Sequence, residues 1–356
     1  MGYRLDRDGF ARAVAELAGT YRVLAPVVKT GKGRFTDTDI ILYDEVKDGS
    51  EIELIKKSDY SFKEALTPLS ETLFFFTENQ VKETDIDERP TLIFLRSCDL
   101  HALKRQDQIY LENGAPDWFY ERRRKKVRFA LIGCTESGKN CFCVSMGTNT
   151  IDAGYDFAVN PAADGVTISV PENAASVSVT TAAGETASVD YNAIFSAVSA
   201  EKLDVKPAFV TENAVKVHIP EEIPASVLKD SLWDEYTSRC IGCGRCNFVC
   251  PTCTCFTMQD VFYTENGKVG ERRRVAASCM VDGFTNVAGG GQYRKAQGER
   301  MRFKVLHKIY DHRKRFGNEM CVGCGRCDDV CPEYISYSNI IHKVDEAVKN
   351  AGKENA

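Results

Sequence analysis

A chain of 356 residues, 43% of them hydrophobic, is about two domains' worth of sequence with enough apolar side chains to bury real cores. That excludes a disordered tail or a minimal module. Its 46 basic and 51 acidic residues give a formal net charge of -5, which argues against a dedicated nucleic-acid binder and leaves local basic patches to weigh.

The informative count is 15 cysteines. The number is odd, and twelve of them are separated by gaps of one, two or three residues, a spacing that suits metal ligation better than a disulfide framework and implies a reducing compartment. The segment Met1–Asp8 carries charges every few residues and no apolar core, so it does not read as a signal peptide. No run approaches the roughly 18 apolar residues of a transmembrane helix. The expectation is a cytoplasmic protein with neither membrane nor nucleic acid as a partner.

In chain order, Phe10, Val14 and Leu17 fall on one helical face, and Tyr21 to Val28 reads as a strand. Glu51 to Ile55, Thr91 to Leu95 and Val127 to Gly133 are short β-like runs, with a helical stretch from Asp99 to Ile109 between the last two. Interleaved strands and helices predict an α/β first domain. From 157 to 218 the chain turns rich in Ala, Val, Thr and Ser; the runs 166–171 and 177–180 predict a hairpin joined through 172–176. Pro220 and Pro224 bracket the expected linker. The expected organisation is a mixed α+β chain: an α/β domain over 1–225, a mostly helical ferredoxin-like dicluster domain over 226–348, and a charged tail over 349–356.

Cys240, Cys243, Cys246 and Cys250-Pro251 fit C-x2-C-x2-C-x3-C-P, and so do Cys321, Cys324, Cys327 and Cys331-Pro332. Three closely spaced thiolates wrap three irons of a 4Fe-4S cubane, glycines let the backbone approach the sulfides, and in two-cluster ferredoxins the fourth cysteine serves the other cluster. The expectation is therefore two 4Fe-4S clusters, one on Cys240, Cys243, Cys246 and Cys331, the other on Cys321, Cys324, Cys327 and Cys250. Structural zinc would use two cysteine pairs and has no need of a third C-x2-C cysteine plus C-P. The 81-residue offset between Cys240 and Cys321 exceeds that of a compact ferredoxin and predicts an insertion or a helical dicluster domain.

Cys98, Cys134, Cys141 and Cys143 lie after two predicted strands and are candidate ligands of a third 4Fe-4S cluster, with inert buried thiols or zinc as the alternatives. Cys253, Cys255 and Cys279 complete no ligand set and are expected to pack near the clusters. The run Gly133 to Asn140 reads G-x4-G-K but puts Asn where a P-loop has Ser or Thr and leads into the cysteines rather than a clear helix, so it is treated as a decoy. From Glu271 to Arg315, twelve basic residues face four acidic ones. They are expected to form a solvated face and also to offset the negative charge of thiolate-ligated clusters and face an acidic electron-transfer partner. Arg122 to Lys126 reads as surface unless it lies beside the third set of cysteines, Ala288 to Gly291 as a tight turn, and His101, His307 and His312 as structural. No acid/base pair or activated nucleophile stands out, so no catalytic residue is assigned.

Taken together, Arg96-Ser97-Cys98-Asp99-Leu100, Asn140-Cys141-Phe142-Cys143, the two ferredoxin motifs, Ser278-Cys279, Ala288-Gly289-Gly290 and the basic 300–308 stretch resemble the iron-sulfur subunits of anaerobic sulfite reductases, and more broadly the iron-sulfur beta subunits of cytoplasmic sulfhydrogenases. The resemblance implies an electron carrier in a three-subunit complex. An NADH-oxidising flavin subunit would feed it, and it would deliver to a sirohaem subunit that reduces sulfite to sulfide. In the sulfhydrogenase branch a nickel-iron subunit replaces the sirohaem one. The competing classes are an autonomous redox enzyme holding flavin or nucleotide in the first domain, and a colourless zinc scaffold.

Overall fold

The computed structural model describes residues 1–34, 37–181, 183–199 and 201–354. Its first half runs β1 (Gly2–Asp6), α1 (Arg7–Thr20), β2 (Arg22–Lys29), β3 (Ile40–Glu45), β4 (Ser70–Phe76), β5 (Val81–Glu83), β6 (Thr91–Leu95), α2 (Ser97–Leu111) and α3 (Trp118–Arg124). It continues through β7 (Val127–Ile132), β8 (Phe157–Ala162), β9 (Gly165–Ser169), β10 (Ser176–Thr180), β11 (Thr186–Asp190), α4 (Tyr191–Val198) and β12 (Glu201–Leu203). Among the described residues, eight of these strands form one sheet in the order β12-β1-β9-β8-β7-β6-β2-β3. The central pairs β2-β6, β6-β7 and β7-β8 are parallel, and the outer pairs are antiparallel.

Burial on both faces explains why β6 and β7 are continuous apolar runs. Leu92, Phe94, Ala130 and Ile132 face the core under α1 and α4, while Ile93, Leu95, Phe129 and Leu131 face the core under α2 and α3. Helix α1 starts where the Asp6 carboxylate accepts the Gly9 amide at 2.7 Å, and it buries Phe10, Ala13, Val14 and Leu17.

Two expected elements come out differently. Glu51 to Ile55 is not a strand: Asp48 and Glu51 form a capping box around a 3-10 turn, and the Glu53 carboxylate accepts the Ile55 and Lys56 amides that a ladder would use. Nor do 166–170 and 177–180 pair with each other. Both edges of β9 are already taken by β8 and β1, a 3-10 turn at Glu172–Ala174 turns the chain away, and β10 pairs with β11 in a separate ribbon.

The second half runs α5 (Glu235–Arg239), α6 (Arg245–Phe248), β13 (Phe256–Phe262), β14 (Gly270–Ala276), α7 (Gln297–Leu306), α8 (His312–Phe316), α9 (Arg326–Asp329) and α10 (Tyr337–Glu354). Residues 349–354 of the expected tail therefore belong to a helix, and 355–356 lie outside the described residues. The long offset between the cysteine motifs is filled by the β13-β14 hairpin and the rod of α7 and α8. That hairpin crosses the expected boundary at 225/226, since β14 pairs with β4 to give a sheet in the order β13-β14-β4-β5. Arg274 of β14 fastens it, buried against Glu71 at 3.0 Å and Asp117 at 2.7 Å. Arg122 to Arg124 serve the same region by pairing with Glu71, Glu83 and Asp107.

Between α7 and α8 lies a π-helical turn, His307–Asp311. The carbonyl of Lys308 in this turn accepts the Met320 and Cys321 amides at 2.9 and 3.2 Å, tying the second cysteine motif to the rod.

Candidate iron-sulfur centres

The two C-x2-C-x2-C-x3-C segments have the same backbone shape. Each turns through two left-handed glycines, Gly242 and Gly244 in the first and Gly323 and Gly325 in the second, and then enters a short helix, α6 or α9. Close approach as well as φ demands glycine in the second segment, because a Cβ on Gly323 would lie 2.7 Å from the Phe142 carbonyl oxygen and one on Gly325 would strike the Asn140 carbonyl. The Phe142 amide donates to the Gly323 carbonyl at 2.8 Å, so the first-half cysteine loop and the second motif are held face to face.

Three chambers result. Cys240, Cys243, Cys246 and Cys331 line the first, with Lys304, Met301 and Tyr337. Cys250, Cys321, Cys324 and Cys327 line the second, with Lys304, Lys308 and Tyr337. Each chamber brings together the four cysteines of one expected set and a fifth from the other, Cys327 in the first and Cys246 in the second, so the third cysteine of each motif reaches both chambers. Cys98, Cys134, Cys141 and Cys143 line the third, with Lys57, Arg96 and Cys324. Cys98 follows β6 and Cys134 follows β7, so this chamber opens at the carboxyl ends of parallel strands, where α/β sheets place their ligand sites.

The surroundings suit thiolate-bound iron. Among the described residues, no group of three or more His, Cys, Asp or Glu side chains is arranged to hold a lone metal ion, whereas a cubane offers each thiolate its own iron corner. Burial pushes the Cys321 thiol up to about 12 and the Cys143 thiol up to about 11, so thiolates there need cations. Cations are supplied: Lys308 Nζ donates to Cys250 Sγ at 3.5 Å, and Lys57 Nζ to Cys141 Sγ at 3.6 Å and to the Cys324 carbonyl at 2.6 Å. Burial alone would lower Lys304, but the neighbouring sulfurs of Cys246, Cys327 and Cys253 outweigh it and hold its ammonium. Backbone amides of Gly323 and Ile335 donate to Cys321 and Cys331 Sγ at 3.5 and 3.3 Å.

The three remaining cysteines lie beside these centres and outside all three chambers. Cys253 hydrogen-bonds with Cys250, and Cys279 takes a bond from Cys255 and one from Asn247 Nδ2 at 3.1 Å; the Cys255 contact has the largest effect and brings Cys279 down to about 6. Gly133 to Asn140 is followed by turns, without the helix a phosphate loop requires. His101 and His312 bond to the Thr150 and Asn318 carbonyls and His307 stacks on Phe303. Sequence reasoning missed Lys57, the buried Lys63, whose Nζ donates to the Asn247 and Cys253 carbonyls at 2.8 and 3.3 Å, and the buried Arg326, because nothing in their local sequence separates them from surface cations. Lys304 and Lys308 belong to the basic stretch expected to offset cluster charge, though nothing in the sequence singled them out from its other ten cations.

Residues 239–335 match the family described as 4Fe-4S dicluster domain. Over 284 residues, 78% of this chain and 80% of the relative, the sequence is 32% identical to sulfhydrogenase 2 subunit beta of Pyrococcus furiosus. The chain belongs to the sulfhydrogenase beta-subunit family. A more distant likeness, 22% over 152 residues, links it to F420-dependent formate dehydrogenase subunit beta of Methanocaldococcus jannaschii, covering 42% of this chain and 30% of that one. No solved structure matches it.

As a member of the sulfhydrogenase beta-subunit family with a dicluster domain, the chain is an electron-transfer iron-sulfur subunit of an oxidoreductase and carries 4Fe-4S clusters. Both named relatives are subunits of larger enzymes. Of the two branches expected from sequence, the comparisons favour the sulfhydrogenase one. No helix of the described residues is long and apolar enough to cross a membrane.

Proposed function

We propose that this chain is the electron relay of a sulfhydrogenase-type complex, which takes electrons from a flavin subunit, then passes them to a nickel-iron subunit. The observation that carries the relay is the convergence of cysteines from both motifs on two adjoining chambers with Cys246 and Cys327 in both. The likeness to the Pyrococcus furiosus subunit supports the nickel-iron branch.

In this reading Cys240, Cys243, Cys246 and Cys331 hold one 4Fe-4S cluster, Cys321, Cys324, Cys327 and Cys250 hold a second, and Cys98, Cys134, Cys141 and Cys143 hold a third. Bound clusters supply one-electron transfer at potentials set by hydrogen bonds, burial and nearby charge. The chain's own residues donate amide hydrogen bonds to the sulfurs, exclude water and place ammonium groups beside the thiolates. Cys324, lining the second and third chambers, sets those two side by side.

The sulfite-reductase assembly, in which the acceptor is a sirohaem subunit, uses the same relay. The two separate on anaerobic purification of the native assembly through a tag on this chain. Co-eluting nickel, with reoxidation of the reduced clusters coupled to dihydrogen evolution, is the expected result. A sirohaem absorption band with sulfite-dependent reoxidation, and no nickel, overturns the nickel-iron assignment.

A further inference from the structure

We propose that Lys304 is a countercharge shared by two clusters, setting the potentials of both together. The inference rests on the ligand reading above and adds a function for a residue outside the cysteine motifs. Lys304 sits on α7 with 4% of its surface exposed. It lines the Cys240 chamber and the Cys250 chamber alike, on the wall it shares with Cys246, Cys327 and Tyr337. Its Nζ stands 5.6 Å from the centre of the Tyr337 ring.

Among the described residues, Lys304 has no carboxylate at ion-pair distance. Asp328, which lines the same chamber, accepts the Tyr337 amide at 2.8 Å instead. A buried ammonium is retained only with an opposite charge close by, and the sulfurs around this one are those of Cys246 and Cys327, which line both chambers, with Cys253 beside them. Lys308 differs: it lines the Cys250 chamber, and its Nζ donates to Cys250 Sγ and, at 2.8 Å, to Thr252 Oγ1. A fixed positive charge stabilises the more negative, reduced state of a nearby cluster. On the shared wall it does so for two clusters, whereas Lys308 acts mainly on one.

The test is an EPR-monitored redox titration of the full chain with anaerobically assembled clusters, comparing Lys304→Met, Lys304→Gln, Lys304→Arg and Lys308→Met at measured iron content. Both midpoints in the dicluster region are expected to fall in the two neutral Lys304 variants and to recover in Lys304→Arg, while Lys308→Met moves one midpoint well more than the other. Unchanged midpoints at full iron content, or a shift confined to one cluster, overturn the proposal. If the neutral variants fail to retain iron, retention by Lys304→Arg supports it and equal loss in all three Lys304 variants overturns it. Failure of the ligand reading is distinct, because the unsubstituted chain would then lack the two cluster signals.

Discussion

Arg326 directly follows the left-handed Gly325 of the second cysteine motif, and its guanidinium is wholly buried across the two halves of the chain. It grips Asp99 of α2 at 2.7 and 3.0 Å and donates to the Ser58 carbonyl at 2.9 Å. Both partners of the pair are at most 1% exposed. Removing one member of such a pair strands the other charge, so Asp99→Ala is expected to cost about 3–5 kcal/mol in denaturant unfolding of the cluster-loaded chain. A loss below about 1 kcal/mol, the range of exposed ion pairs, would contradict the role assigned to it. A second residue-scale consequence concerns acid. Burial, with Lys308 and His312 adding to it, holds His307 down at about 4. Its folded pKa lies below the ordinary 6.5, so the unfolded chain binds the proton first and stability is lost as pH falls from about 6.5 towards 4. His307→Gln is expected to flatten that limb of a denaturation-midpoint profile; an unaltered limb would show that other groups control it.

At the scale of elements, the close fit of the second motif against the 140–143 loop makes a sharp prediction. Gly325→Ala adds a Cβ onto the Asn140 carbonyl in a left-handed backbone, and is expected to lower iron content by loss of the Cys321 chamber while Gly317→Ala, whose Cβ meets nothing within 4 Å, leaves iron content unchanged. Equal iron in both variants would contradict the packing argument. The elements that position the cysteines were largely legible in sequence. The runs 91–95 and 127–133 announce β6 and β7 because strands buried on both faces are continuously apolar, and α1 and α2 follow from helical spacing. The misread segments share one physical cause, which is that local pattern does not reveal what a strand's edges will meet. β9 reads as half of a hairpin, yet its edges go to β1 and β8; β13 and β14 lie inside a region read as helical and pair across the expected boundary with β4. At 51–55 the Glu53 side chain takes the Ile55 and Lys56 amides, and the Glu51 side chain folds back onto the Lys47 amide in the capping turn.

On the scale of the whole molecule, twelve cysteines are gathered into three chambers that adjoin one after another, the third next to the second through Cys324 and the second next to the first through Cys246 and Cys327. Motif spacing singled out the eight cysteines that line the first two chambers, since thiolate number and spacing are written directly in the chain. It was silent on Lys57, Lys63 and Arg326, whose partners lie far away in sequence. At the far end Cys243 is exposed, beside Ile241 at 62% exposure, which leaves the first chamber open towards a partner. The most direct test of a three-cluster relay is iron and acid-labile sulfide per polypeptide on the anaerobically purified chain, with EPR of the reduced state, alongside Cys141→Ser/Cys143→Ser. About twelve irons are expected, falling to about eight in the double variant with the dicluster signals intact. About eight irons in both proteins would contradict it and confine the redox centres to the second half of the chain.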